Sequence, residues 1–419
     1  MITTSEIPFY RLILSLTEAL DYLHPRLSEH QRRVAYIAGR IGGAMGLRGE
    51  QLNNLFYAAA LHDVGLVRAA SEQPYEGAAI ERLGQHPREG YELLRDCPMF
   101  AEAASIVRHH HLPWHKAGEV ADSGVEVPAA SHILVLADQV DRWIERDVPV
   151  LEQVKHIREQ IRRGCGQLFC PDCVETFEEV SCREAFWLDI ASPRLYTLLV
   201  DVAELPVLRG DDESLSRIAA LFGRIVDAMS PWTATHTAGV AATAVELARR
   251  LHFSPRELRM METAGYLHDL GKLSVPLKVL NKPGRLTEQE WAAMRGHTYY
   301  TYRIIESIGG MDTINEWAAF HHERIDGNGY PFGHRGDDLT LGSRIMAVAD
   351  VFTAVTEDRP YRKGMDERAA LEVLTNLSAE GGIDGDVASV LRHNFDEINQ
   401  VRLARQSAQR EVALARQIA

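Results

Sequence analysis

Apolar residues recur at three- and four-residue spacing through most of the chain, as in RLILSLTEALDYL near the start and VAATAVELARRLHF and LRMMETAGYLHDL in the second half. That period marks helices that bury one face. SPREL, which leads into LRMMETAGYL, supplies a serine cap with proline at the first helical position. Runs of alternating β-branched residues, which half-buried strands need, are scarce. The pattern predicts an all-α protein.

It is also written twice. LILSLTEALDYLHPRLSEHQRRVA lies over IAALFGRIVDAMSPWTATHTAGVA, so that His30 matches His236, and His62-Asp63 matches His268-Asp269, at a common offset of 206. His86 matches His297 and His110-His111 match His321-His322 at 211, and Asp138 matches Asp350 at 212. A slowly drifting offset with the same polar residues retained is what surface-loop insertions produce. Two helical bundles in tandem follow, residues 1–208 and 209–419, joined where DVAELPVLRGDDES interrupts the apolar pattern with Pro, Gly and consecutive acids.

Composition changes this picture little. At 419 residues, with 46% hydrophobic and 25% charged positions, the chain can build ordinary globular cores. A net charge of −14 argues against a nucleic-acid polymer as partner, since phosphate-backbone binding needs a basic face. No basic leader precedes the first helix and no apolar run reaches the length of a membrane span, so a cytoplasmic protein without a membrane partner is expected. Five cysteines point to reduced thiols rather than a disulfide framework.

The candidate chemistry lies in the repeated polar residues. His236, His268, Asp269, His297, His321, His322 and Asp350 comprise five imidazoles and two carboxylates. That is more than one tetrahedral zinc uses, and it suits two divalent ions bridged by a carboxylate; the mixed N/O donors point to iron, manganese or another first-row ion. Lone histidines such as His252, His334 and His393 read as surface or capping residues. Seven buried together without an ion would leave donors and acceptors unpaired.

HDLGK at 268–272, HHERIDGNGYP at 321–331, the VAD ending at Asp350 and RPYRKG at 359–364 resemble the HD-GYP branch of the HD phosphohydrolase superfamily over about residues 215–400. The first half resembles the wider superfamily more loosely. The resemblance implies a bacterial, metal-dependent phosphodiesterase that opens a cyclic dinucleotide second messenger, cyclic di-GMP or 3′,3′-cyclic GMP-AMP, to a linear dinucleotide and onward to mononucleotides. By motif position, His236, His268, Asp269 and Asp350 would hold one ion, and His297, His321 and His322 the other, with Asp269 bridging. Lys272 would neutralise charge on the reacting phosphate, Arg359 and Arg362 would grip ligand phosphates, and Tyr330 would lie on the ligand. Glu323, Arg324 and Asp326 would orient the metal histidines. Some members place a third-metal Glu four residues before the first His; Trp232 stands there, so two metals are expected and complete cleavage to mononucleotides is left open.

The first half keeps the ligand order, His30, His62, Asp63, His86, His110, His111 and Asp138, and so offers a second metal site. In RHHHLPWH the pair could be His109-His110; the 24-residue spacing from His86 favours His110-His111. Leu66 replaces the lysine, and no GYP or RPYRKG counterpart follows. Little hydrolysis is expected there, and the half could regulate, dimerise or sense a ligand. Cys165, Cys170, Cys173 and Cys182 resemble a zinc spacing, but their alignment with the cysteine-free GGIDGDVASVL favours a helix start with buried thiols. Two other activities compete with cyclic-dinucleotide hydrolysis: an HD-type nucleotide phosphohydrolase, and a metal-stabilised binding module that signals to a partner protein. A homodimer is open as well.

Overall fold

The computed structural model describes residues 9–22, 28–68, 84–202, 212–230, 235–358 and 363–418. Every extended element among these is a helix, and the single β-bridge joins Cys165 to Phe169. The all-α expectation holds. The chain divides into two compact units, one from the described residues between Phe9 and Val202 and one from those between Asp212 and Ile418. The boundary expected near residue 208 lies outside the described residues. No helix is long and apolar enough to cross a membrane.

In the first unit, helices His30–Ala44 and Gly49–Leu61 pack together, with Ala129–Arg142 on the former and Ala101–Arg108 on the latter. Leu55, Phe56, Phe100, Val107 and Leu136 fill the space between them. The amphipathic N-terminal helix runs Phe9–Asp21, and Phe9 meets Tyr57 edge-on at 5.3 Å. Helix Pro171–Ser181 begins as its sequence suggests, with Cys170 at the cap and Cys173 buried in the first turn. All five cysteines are free, and among the described residues no metal-competent group includes one.

In the second unit, helix His236–Arg250 packs on Pro255–Leu267, Leu341–Thr356 and Phe395–Ile418. Its neighbours start where side chains satisfy the free amides. Ser254 and Glu257 form a reciprocal capping box, as do Thr287 and Glu290 at the head of helix Glu288–Ile308; each cap contributes about 1 kcal/mol. His252 follows helix His236–Arg250 with φ of 63°, a capping role. Phe352, fully buried, meets Phe395 edge-on at 5.5 Å; burying such a ring contributes about 1.5–3 kcal/mol.

Candidate metal centre

Each unit delivers its polar residues from helix ends. His236 opens helix His236–Arg250, His268 caps the C-terminus of Pro255–Leu267, and His321 and His322 follow helix Asp312–Ala319. Asp350 projects from Leu341–Thr356 and His297 from Glu288–Ile308. Past His268 the chain turns into a 3₁₀ segment, Leu270–Ser274, which contains Gly271. A Cβ on Gly271 would lie 1.9 Å from the carbonyl oxygen of His297. The glycine therefore serves close approach: only without a side chain can the Asp269 turn press on the helix bearing His297. Gly65 meets the His86 carbonyl in the same way, at 2.1 Å.

The side chains converge around Asp269. Its Oδ2 lies 3.2 Å from His268 Nε2 and 4.0 Å from His236 Nε2, while its Oδ1 lies 3.5 Å from His297 Nε2 and 4.0 Å from His321 Nε2. Asp350 Oδ1 is 3.1 Å from His236 Nε2, and its Oδ2 is 4.0 Å from His322 Nδ1. One carboxylate thus faces two imidazole groups, and the residues fall into sets that could each hold an ion: His236, His268 and Asp350; His297, His321 and His322.

The proton inventory suits a bound cation. His268, His297 and His321 donate Nδ1–H to the carbonyls of Gly265, Met294 and Ala318 at 2.8, 2.6 and 2.6 Å. The Nε2 lone pairs of His297 and His321 then point inward and face each other at 3.4 Å, while His268 Nε2 is buried 3.2 Å from an Asp269 oxygen. Acceptor against acceptor is relieved by a shared cation. Burial pushes His297 down to about 3, so it is deprotonated at neutral pH. Burial would raise Asp269, but His268 and Lys272 hold it well below the usual carboxylate range. The Lys272 ammonium contacts Asp269 Oδ2 directly and is mostly buried, so it is no solvated surface lysine.

The GYP loop is braced against this cluster. Glu323, buried, accepts the backbone N–H groups of Phe332, Gly333 and His334 at 2.7, 3.2 and 3.0 Å. Arg324 pairs with Asp326, which accepts the N–H of Asn328 at 2.8 Å. A Cβ on Gly329 would lie 2.4 Å from Arg324 N. These residues shape the loop and do not orient histidines as their motif position suggests; a carboxylate aimed at successive backbone amides is satisfied by the turn itself. The Tyr330 N–H donates to the His322 carbonyl at 3.2 Å, and its ring lies 5.0 Å from the His322 ring. Arg359, Arg362 and Trp232 lie outside the described residues.

The orienting roles fall to residues the sequence reading passed over. His236 donates Nδ1–H to Glu357 at 3.1 Å. Burial opposes a charge on His236, yet Glu357 and Asp350 outweigh it and push the imidazole up to about 10. Asp227, buried, accepts the Thr237 hydroxyl at 2.6 Å, and burial pushes it up to about 7. The repeat carries a signal for Asp227: Asp21 precedes it by the same 206 positions and is pushed up to about 6, again by burial. Glu357 carries no comparable signal.

The first unit repeats the arrangement with changes. His30 Nε2 lies 3.2 Å from Asp138 and 3.6 Å from Asp63, His62 Nε2 lies 3.4 Å from Asp63, and His86 Nε2 lies 3.1 Å from the other Asp63 oxygen. His86, His110 and His111 form one group and His30, His62 and Asp63 another, which places His110-His111 as the pair; His109 turns away to the Ser105 carbonyl. Asp141, not Glu, orients His30 at 2.6 Å and is itself held by Arg33 and Arg146. Arg142 donates to Asp138 Oδ1 at 2.8 Å.

Comparison with known proteins agrees with this geometry. The HD domain family matches residues 27–143 and again residues 220–387. The chain is 30% identical to the 3′3′-cGAMP-specific phosphodiesterase 1 of Vibrio cholerae over 93% of its own length and 92% of that protein's. It is 37% identical to a cyclic di-GMP phosphodiesterase of Pseudomonas aeruginosa, over 41% of each chain. The crystal structure of the Vibrio cholerae cyclic GMP-AMP phosphodiesterase V-cGAP3 aligns with a TM-score of 0.60 at 25% identity, covering 92% of this chain and 97% of that one.

Proposed function

We propose, from the premise that this chain belongs to the HD domain family in its tandem, cyclic-dinucleotide phosphodiesterase branch, that the second unit carries the catalytic centre and the first an accessory metal site. The protein is a metal-dependent hydrolase of cyclic dinucleotides. The observation that carries the catalytic assignment is Asp269: its two oxygens face separate imidazole groups while Lys272 touches one of them. His236, His268, Asp269 and Asp350 would hold one divalent ion and His297, His321 and His322 the other. The N/O donor set suits iron or manganese. A pair of such ions supplies an activated water and an electrostatic clamp on phosphodiester oxygens.

The chain's own residues do the rest. Lys272 holds a positive charge above the shared carboxylate, where a phosphate in reaction gains negative charge, and so lowers the barrier by what it gains between ground and transition state. Glu357 fixes the tautomer and direction of His236. The Glu323 cradle fixes the loop that bears Tyr330 beside His322. Relatives matching both units are named for 3′3′-cGAMP. That supports cyclic GMP-AMP as the first substrate to try, with cyclic di-GMP next.

The test is turnover of a cyclic-dinucleotide panel by protein stripped of metal and then reloaded anaerobically with iron or manganese. Hydrolysis should appear only on reloading; undiminished turnover by the stripped protein refutes the assignment.

A further inference from the structure

Trp291 is 45% exposed, a large aromatic surface left in water, as Tyr299 and Phe332 of the same unit also are. Of these, Trp291 leads to the metal cluster through Tyr330. From His322, a proposed ion ligand, the Tyr330 ring lies 5.0 Å away, and from Tyr330 the Trp291 ring lies a further step of 6.3 Å, edge to face at 80°. Trp291 sits on helix Glu288–Ile308, the helix that carries His297, so its distance from the ion site is fixed by a rigid rod rather than a loop. Arg295 stands one turn along on the same face, exposed, close enough for its charge to act on the Tyr330 phenol.

We infer that Trp291 and Tyr330 form a ledge on which a guanine base of the cyclic dinucleotide stacks, with Arg295 reading its edge. The inference rests on the proposed substrate class and adds its base-recognition subsite. A cyclic dinucleotide carries its bases outward from a phosphodiester ring. With one phosphate held at the ions and Lys272, the attached base must lie to one side of the cluster, and the aromatic path through Tyr330 leads out of it. With the two rings at 80°, the broad π-face of a purine lies on the exposed indole while the phenol walls the ledge on the side of His322, and neither contact reads sequence. The guanidinium fork matches the O6 and N7 acceptors of guanine, which adenine lacks as a pair. In the first unit no tyrosine follows His111 in the corresponding loop, which reads LPWHKAG, so the ledge belongs to the second unit's substrate and not to the metal scaffold common to both.

The experiment compares KM and kcat of the full chain and of W291A, W291F and R295Q on cyclic GMP-AMP, cyclic di-GMP and the base-free diester bis(p-nitrophenyl) phosphate, with cyclic di-AMP as substrate or competitor. W291A should raise KM for the cyclic dinucleotides roughly tenfold to a hundredfold while kcat holds within a few-fold and the base-free diester is cleaved as before. W291F should recover most of the loss. R295Q should weaken the two guanine-containing ligands and leave cyclic di-AMP unchanged. An unchanged KM in W291A overturns the ledge, and so does an equal loss on the base-free diester, which would mark Trp291 as structural. If the unaltered protein cleaves the base-free diester but no cyclic dinucleotide, the substrate assignment itself fails and the ledge with it.

Discussion

Both units place a cation on one carboxylate of the cluster, but not on the same carboxylate. In the second unit Lys272 sits on Asp269, the acid whose oxygens face both imidazole groups. In the first, the equivalent of Lys272 is Leu66, and the cation is Arg142, on Asp138 at the edge of the group. The second unit has Ala354 where Arg142 would fall. The ligand scaffold is thus retained twice and the charge moved. A lysine is a compact charge on a flexible stem and can turn from Asp269 to a phosphate; a guanidinium in an i,i+4 pair with Asp138 serves its own helix. On the proposed reading, the same metal-ready frame is catalytic or accessory according to where one positive charge lies.

The sharpest way to break this comparison is to remove the central acid from each unit in turn. Asp269→Ala should lower cyclic-dinucleotide turnover by about a thousandfold or more and reduce bound metal. Asp63→Ala should leave turnover within a few-fold of normal while also reducing bound metal. Equal losses of activity would mean that both units are catalytic. Next in size, Lys272→Met should cost about a hundred- to a thousandfold in kcat with metal content retained, as elemental analysis can check; a purely structural lysine would lower both together.

Much of this was legible in the sequence because the fold repeats. Helical periodicity gave the class, and two copies of an ordered His/Asp series located all seven ligand candidates in each unit, which the structure brings together within a few ångströms. The supporting residues were harder to read. Asp227 echoed Asp21 at the same offset, but a lone acid on a helix face has no marked spacing. Glu357 and Asp141 perform one task from different positions, seven and three residues after the ligand aspartate, so aligning the copies hides them. Glu323 stood inside a recognisable motif, yet its partners are backbone amides that only the folded loop assembles.

A third contrast concerns protons. His236 and His30 are each pushed up to about 10, burial being outweighed by Glu357 in one and by Asp138 and Asp141 in the other. An ion must displace that proton to bind. Below the raised pKa, apparent metal affinity should therefore climb about tenfold per pH unit from this group alone. Glu357→Gln removes the main support for the charge, lowers the His236 pKa and flattens the climb between pH 6 and 8. It also frees the imidazole to rotate, which should cost about tenfold in the affinity of the deprotonated site, set at pH 8 against the gain from the removed proton competition. Chelator-competition titrations at three pH values read both effects, and a slope unchanged by the substitution would exclude Glu357 as the source of the shift.

The smallest expected effect tests the displaced charge directly. Arg142 donates to the oxygen of Asp138 that faces His30 and His62, the position an ion would share. Its guanidinium both occupies a lone pair and repels a divalent cation, although an Arg142 side chain 43% exposed to water is substantially screened. Arg142→Ala should then tighten metal binding in the first unit by about tenfold, near 1.4 kcal/mol. The measurement belongs in a full-length chain whose second centre is disabled by Asp269→Ala and His321→Ala, so that bound metal reports one site. Leu66→Lys in that background should restore no cyclic-dinucleotide hydrolysis, because the loop that carries Tyr330 beside the ion ligands has no counterpart there. If Arg142→Ala instead loosens the metal, the arginine is holding Asp138 in place for the ion, and the two units differ in substrate-handling groups alone rather than in where their charge was moved.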